Sequence, residues 1–354
     1  MAAGARSTVR VLTRSEAVVL WHLLARDRPR VDPLPGVERP HRRTMQDVRQ
    51  RAYARGWIRD RFVPAPTAFG LDRLTFALAR PLADRLRGQA ERWRARPENV
   101  LLWSSSEGLF GVFLSGPGTD PELARTLAAD GEGAVLYPVA VPAREEAVPV
   151  YFDFELAWVR ANGLPGASAG YPRPIPEAPV GEDGTGRSAP SPVQRAALRA
   201  SLAAREEHEA PVRPVWPVLG GTLEERSLRS GWSAFRCLLD PVALATLMTG
   251  MPGWCAFVLG SLRPSARPVE LFSALVGAAG VSPFLFATQE RRVLFASLAR
   301  GPGTPAEPGR APVLPTLQAY LQDITVVNWP LGTTRVLADH RYSRALAVGV
   351  RPPG

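Results

Sequence analysis

Apolar residues take on a helical period near the start of the chain. Val19, Leu20, Leu23 and Leu24 follow Thr13-Arg14-Ser15-Glu16, a capping box in which the threonine accepts from the third helical amide and the glutamate reaches back. The pattern predicts a helix over residues 14–26, with Arg14, Ser15 and Arg26 left in water. Four prolines and a glycine between residues 29 and 40 forbid its continuation. A second helix is predicted from Arg42 to Arg55, with Met45, Val48 and Ala52 inward and Gly56 as its stop. Trp57 to Val63 then alternates apolar and charged residues, the pattern of a half-buried strand.

The period changes in the next block. Leu74 to Ala79 reads as a strand, Pro81 as the start of a helix, and Leu82, Leu86, Ala90 and Trp93 as that helix's buried stripe. Val100 to Trp103 and Leu109 to Leu114 are strands around a Ser-Ser-Glu-Gly turn. A helix over Pro121 to Ala129 and a strand over Ala134 to Val141 complete the order βαββαβ. Residues 147–160 read as an aromatic-rich strand running into a short helix. Alternation there places Asp153 and Glu155 on one solvent-facing side, and an exposed strand face explains them better than acid–base chemistry does.

Much of this order returns. QRAYARGWIRDRFVPAPTAFG (Gln50 to Gly70) and ERSLRSGWSAFRCLLDPVALA (Glu225 to Ala245) lie 175 residues apart, each with Gly-Trp after a short basic stretch. GPGT occurs after Ser115 and again after Arg300, and a strand-to-helix turn suits it better than a phosphate cradle, since no Lys-Ser/Thr follows. Pro192 to Ala204 and Leu223 to Ser230 are helix candidates around a proline-rich Val212 to Leu219. Trp254 to Leu259, Pro268 to Leu275, Pro283 to Ala287 and Val293 to Leu298 read as strand, helix, strand, strand, and Leu314 to Leu321 with Ile324 to Trp329 as the last helix and strand. The expected division is 1–70, 71–163, a Pro/Gly/Ser-rich linker at 164–192, then 193–250 and 251–354.

Composition bears on this picture through the placement of charge. The chain has 354 residues and a formal net charge of +10, and all its basic side chains other than histidine are arginine. Residues 1–100 carry 21 Arg against 10 Asp plus Glu, so the whole basic excess lies in the first copy. Cys237 and Cys255 have neither metal-ligand nor disulfide spacing, and His22, His41, His208 and His340 add no tetrahedral set. The apolar run Ala17 to Ala25 is too short to cross a membrane and lacks a cleavage site, so a cytoplasmic protein with no membrane partner is expected. No nucleophile–base arrangement or dinucleotide fingerprint is present. The expectation is a protein that is not an enzyme, with no cofactor and no bound metal.

A winged helix followed by βαββαβ resembles the Lrp/AsnC family of transcription regulators. Thr44 to Ile58, TMQDVRQRAYARGWI, is similar to the family's recognition helix with its closing Gly-aromatic-Ile step, and Leu74 to Val141 resembles its regulatory domain. The resemblance implies an α+β fold made of two copies of a winged helix-turn-helix followed by a ferredoxin-like βαββαβ domain. It also implies a sequence-specific DNA-binding regulator, a homodimer on double-stranded DNA, and sheets that pair as the family's sheets do, here within one chain. A small-molecule effector is left open, because Glu107-Gly108-Leu109-Phe110-Gly111 lacks the Asp that usually follows the family's glycine.

The residues expected to meet DNA are Arg42, Arg43, Thr44, Gln46, Arg49 and Gln50 on the helix and Arg59 and Arg61 on the wing strand, since guanidinium and amide groups suit phosphate and base edges. At the 175-residue offset Arg49 and Gln50 face Glu224 and Glu225, so the second copy reads as scaffolding. Two alternatives remain. One is a ligand-sensing or protein-interaction module of winged-helix descent without DNA binding. The other is a siroheme-decarboxylase-like enzyme, a class that also resembles paired AsnC-type units, although Leu101-Leu102-Trp103-Ser104 stands where that class carries a basic string.

Overall fold

The computed structural model describes residues 12–26, 40–54, 58–64, 73–116, 120–130, 134–140, 151–163, 239–245, 254–278, 281–299 and 314–339. In chain order these form α1 (Arg14–Arg26), α2 (Arg42–Ala54), β1 (Ile58–Pro64), β2 (Arg73–Ala79), α3 (Ala83–Ala95), β3 (Asn99–Ser105), β4 (Gly108–Ser115), α4 (Asp120–Asp130), β5 (Val135–Ala140), β6 (Tyr151–Phe152) and α5 (Phe154–Gly163). After a long interval come β7 (Leu239–Ala245), β8 (Trp254–Leu262), α6 (Pro268–Gly277), β9 (Ser282–Gln289), β10 (Arg292–Ala299), α7 (Leu314–Tyr320), β11 (Leu321–Pro330) and β12 (Arg335–Asp339). The expected Gly56 stop, the proline-rich break at 29–39, both GPGT turns, the linker at 164–192 and the helices proposed between Pro192 and Ser230 lie outside the described residues.

The fold is α+β, and every strand pairing is antiparallel. Two five-stranded sheets run β12-β3-β4-β2-β5 and β6-β9-β10-β8-β11. Their middles, β3-β4-β2-β5 and β9-β10-β8-β11, have the same order, which is that of a ferredoxin-like unit. The outermost strand next to β3 or β9 comes from the other half of the chain. Tyr151 and Phe152 leave the first unit and pair with Phe286 and Leu285 of β9, while Arg335 to Asp339 leave the second and pair with β3. This exchange is invisible to local periodicity. It makes each sheet incomplete without the other half.

Alternation along the strands sorts side chains to two faces. On the first sheet Ala77, Ala79, Leu102, Leu109 and Phe113 face α3 and α4, where Ala90, Trp93, Leu123 and Leu127 close a core. On the second, Val258, Phe286, Val293 and Phe295 meet Leu271, Phe272, Leu275 and Leu317 of α6 and α7. The remaining faces meet each other. Phe76, Trp103, Phe110, Cys255, Phe257, Phe284 and Trp329 belong to one interior shared by both sheets. Ring centroids of Phe110 and Phe257 are 5.0 Å apart, and those of Trp103 and Phe284 6.0 Å. α3, α4, α6 and α7 therefore lie outside two sheets packed face to face, while α1 and α5 pack against their shared interior.

Two polar contacts at Tyr137 link the halves, and two hydrogen bonds lock a turn within the second. The Tyr137 hydroxyl on β5 donates to the Val293 carbonyl on β10 (3.3 Å), and the Arg292 guanidinium lies 4.8 Å from the centre of the Tyr137 ring. Between β11 and β12 a 3-10 turn, Leu331–Thr333, is locked from inside. Trp329 Nε1 donates to Thr334 Oγ1 (2.8 Å), which donates in turn to the Pro330 carbonyl (2.7 Å).

The capping box forms as the sequence predicts. The Thr13 amide donates to Glu16 Oε2 (3.0 Å) and the Glu16 amide to Thr13 Oγ1 (3.2 Å). Downstream, α1 is more enclosed than a one-face helix, with Ala17, Val18, Val19, Leu20, Trp21 and Leu24 all buried. The cause is α5, which packs along it so closely that a Cβ on Gly163 would collide with Ala17 Cβ. Three expectations are corrected. Asp153 and Glu155 are not on a solvent-facing strand. The strand ends at Phe152, Asp153 Oδ1 accepts from the Leu156 amide (3.0 Å) as the cap of α5, and both carboxylates are buried. The helix expected at Pro81 begins at Ala83, and Leu82, placed in the buried stripe, is 62% exposed because it is the residue before the first turn. Gln89 takes the vacated inward position beside Ala90 and Trp93.

Candidate nucleic-acid interface

The period of α2 sets what this helix shows to its surroundings. Val48 and Ala52 are buried and Met45 half-buried on the side turned to the rest of the protein, while Tyr53, also half-buried, projects between Arg42 and Gln46. Arg42, Arg43, Thr44, Gln46, Asp47, Arg49, Gln50 and Arg51 are exposed. At about 100° per residue, Arg49, Arg42, Gln46, Gln50 and Arg43 fall in that order within an arc of about 120°. Thr44 and Arg51 lie beyond it, with Asp47 at its margin. Six of the eight expected residues are thus brought together on one helix, five of them on one face.

Local bonds order this face. His41 Nδ1 accepts from the Arg43 amide (3.3 Å) in the first turn. The Arg49 guanidinium lies 5.5 Å from the centre of the Tyr53 ring one turn on, which holds the side chain along the helix. Arg51 Nε donates to the Asp47 carbonyl (3.4 Å), away from the arc. No acidic residue lies in the first turn of α2, so the positive end of its dipole adds to the arginines and favours an anion there.

Arg59 and Arg61, expected on the wing strand, lie on β1. β1 pairs along its length with β7, with Arg59 opposite Leu244 and Arg61 opposite Val242. The strand that follows α2 is therefore half of a two-stranded ribbon whose other strand comes from the second half of the chain. Sequence reading missed β7 because Leu239-Asp-Pro-Val-Ala-Leu-Ala carries a proline inside it, which a strand tolerates at an edge.

Buried charge is concentrated elsewhere. Among the described residues Glu16, Asp153, Glu155 and Arg160 are the charged side chains inside the protein, all on or beside the packed pair α1 and α5. Asp153 and Glu16 are accounted for as caps. The Cys255 thiol, between the sheets, is pushed well up by burial. Tyr137 is also raised, chiefly by burial, with the Arg292 charge and its hydrogen bond opposing. No helix among the described residues is long and apolar enough to cross a membrane.

No protein-family model matches the chain, and no curated protein does. Similar solved structures exist. Siroheme decarboxylase NirDL is 13% identical with a TM-score of 0.44, over 95% of this chain and 99% of that one. The same enzyme in complex with an iron-uroporphyrin III analogue gives 13% identity and 0.44 over 95% and 100%. An anthrone oxidase-like protein follows at 11% identity and 0.31, over 76% and 95%. The expectation that the chain is not an enzyme is accordingly withdrawn, since the two structures that run beside nearly all of it are of an enzyme. At this identity the likeness carries over neither an activity nor a site.

Proposed function

We propose that the chain docks on double-stranded DNA through the exposed arc of α2 and acts as a transcription regulator of Lrp/AsnC-like type. One observation supports this above the others: Arg42, Arg43, Gln46, Arg49 and Gln50 share one solvent-facing side of a helix anchored on the opposite side by Val48 and Ala52. Guanidinium groups meet phosphate, and the glutamine amides between them suit base edges. β1, the strand that follows α2, pairs with β7 from the other half of the chain.

The test is duplex binding by the full chain, followed by fluorescence anisotropy between about 50 and 200 mM salt. Replacing Arg42, Arg43 and Arg49 together by Ala should flatten the dependence of log affinity on log salt by about 2.7, at about 0.9 per phosphate contact. An unchanged slope overturns the assignment. The second reading, a siroheme-decarboxylase-like enzyme, is decided in parallel by titrating the same protein with an iron uroporphyrin and following the porphyrin absorbance. A saturable spectral shift, in a protein that binds no duplex, would put that reading first.

A further inference from the structure

α3 and α6 hold the same place in their halves, each following the equivalent strand, β2 or β8. α6 reads PVELFSALVG and buries Leu271, Phe272 and Leu275. α3 reads ADRLRGQAERWRA and buries Gln89, Ala90 and Trp93. The spacing is the same, so at an offset of 182 Gln89 stands where Leu271 does and Trp93 where Leu275 does. One half closes this frame with aliphatic side chains, so packing does not call for an amide and an indole N–H in the other.

Both groups are enclosed and lack a partner in the protein. Gln89 is 1% exposed and Trp93 0%, and neither Gln89 Nε2 nor Trp93 Nε1 meets an acceptor, although the two lie one helical turn apart on the same face. The sheet adds two more such atoms. Thr75 on β2 and Asn99 on β3 each stand directly opposite Phe113 of β4, so all three side chains share the helix-facing side, with Cβ atoms about 5 Å apart across each pair. Thr75 and Asn99 are both 0% exposed. Asn99 Nδ2 donates to the Leu101 carbonyl (3.4 Å), but Asn99 Oδ1 and Thr75 Oγ1 are unpaired. At the strand offset of 181 the counterpart of Thr75 is Ala256, which has no polar side chain. The Phe113 ring leans along its own strand, since a Cβ on Gly111 would strike Phe113 Cε2 and come within 3.2 Å of Trp93 Cε3. The Phe113 and Trp93 rings, 5.6 Å apart and edge to face, thus cover the row of Gly111, the next along this face from Thr75 and Asn99.

From these observations we infer that Gln89, Trp93, Asn99 and Thr75 form an enclosed site around Phe113, between α3 and the first sheet, for a small uncharged molecule that both accepts and donates hydrogen bonds: water, or a hydroxyl compound of similar size. Trp93 Nε1 and Gln89 Nε2 can only donate and so call for an oxygen acceptor. Asn99 Oδ1 can only accept and calls for an O–H, while the Thr75 hydroxyl serves either way. Hydroxyl oxygens meet all four demands, and a buried water commonly makes about three bonds of this kind. None of the four side chains carries a charge that could offset an ion taken out of water, which is why the occupant is uncharged. The site is independent of the DNA-binding reading, since it lies on the covered face of α3 and not on α2.

The test reads the sign of a stability change in the full chain. Gln89→Leu installs the residue that α6 carries. If the amide holds an occupant, the change leaves that molecule and its other partners short of a bond, and the midpoint of urea unfolding should fall. If the amide is merely unpaired, leucine relieves it and the midpoint should rise. Thr75→Val repeats the comparison from the sheet with almost no change of shape and should give the same fall. The occupant is then identified directly. Water should give a cross-relaxation peak to the Trp93 indole N–H, assigned by its loss in Trp93→Phe, whereas a hydroxyl compound should give extra mass in the native mass spectrum that Gln89→Leu removes. A higher midpoint in both variants overturns the site, and so does the absence of both signals.

Discussion

If the two sheets share one interior, the halves should unfold together, and Phe110 and Phe257 offer a direct probe. Phe110 stands on β4 of the first sheet and Phe257 on β8 of the second, both fully buried, with ring centroids 5.0 Å apart at 43°. Replacing either by Leu removes ring contacts and leaves a small void, at a cost of about 1–3 kcal/mol. An aromatic pair at this separation contributes about 0.5–1.5 kcal/mol beyond the area it buries, so the double variant should lose less than the sum of the singles by that amount. Phe272 and Phe286, 5.2 Å apart beneath α6, serve as a pair within one half. The assay is urea unfolding followed by tryptophan fluorescence and by circular dichroism. One transition should be seen by both probes, and Phe110→Leu and Phe272→Leu should each lower its midpoint. Two transitions, with Phe272→Leu shifting only one of them, would refute the shared interior, as would strict additivity of Phe110→Leu and Phe257→Leu.

Further outcomes can be checked on the same protein. Thr334→Val keeps shape but removes the acceptor of the buried Trp329 indole, so stability should fall by about 1–3 kcal/mol in the same unfolding assay, whereas Thr334→Ser should cost less. Gly163→Ala forces α5 off Ala17 of α1 and should destabilise by about 1–3 kcal/mol, in contrast to the usual gain from replacing a helical glycine. The Cys255 thiol has a pKa raised by burial, so on unfolding it ionises more readily than in the folded protein. Stability should therefore be unaffected by this group below the ordinary thiol range and decline above it, by up to about 1.4 kcal/mol per pH unit. Cys255→Ala should remove that share of the alkaline decline, and an identical pH profile would show that the thiol does not contribute. Glu224→Gln with Glu225→Gln should leave duplex affinity unchanged if the second copy is scaffolding, and a large gain would place those residues near the DNA.

Local chemistry made some elements readable and long-range pairing hid others. Thr13 and Glu16 announce α1 because each supplies what the other's amide lacks within one turn. Met45, Val48 and Ala52 announce α2 and, by exclusion, the residues left outside it, which is why the candidate interface is legible without the fold. Asp153 and Glu155 misled because Phe152-Asp-Phe-Glu alternates like a strand. The signal that could have corrected the reading is Asp153 itself, a capping residue immediately before the helix-forming run Glu155 to Ala157. The exchanged strands β6 and β12 carry no such mark. A sheet edge is completed by whichever strand the fold delivers there, and two residues at Tyr151–Phe152 are too few to show a period.

The correspondence between the halves decides which of the two charge contrasts is secure. Matching Gly56-Trp57 to Gly231-Trp232 gives an offset of 175 and sets Arg49 and Gln50 against Glu224 and Glu225. The strands give another value, because Ile58 of β1 and Leu239 of β7 stand 181 residues apart, as do Arg73 of β2 and Trp254 of β8. Carried back into α2, an offset of 181 sets Arg49 and Gln50 against Ser230 and Gly231, a loss of basic charge without its reversal. Repulsion of phosphate by the second half therefore depends on where the six residues are gained, in a stretch outside the described residues. The contrast between α3 and α6 depends less on the offset, because the strands on both sides of each helix are described. Each helix is bounded by the strands on either side of it, β2 and β3 or β8 and β9, whose first residues stand 181 and 183 apart, so Arg85 falls against Ala266, Arg267 or Pro268, whereas Arg87, Arg92 and Arg94 have no basic counterpart at these offsets. Of the two, Arg87, Arg92 and Arg94 on α3 are the firmer evidence that the surfaces of the halves have diverged.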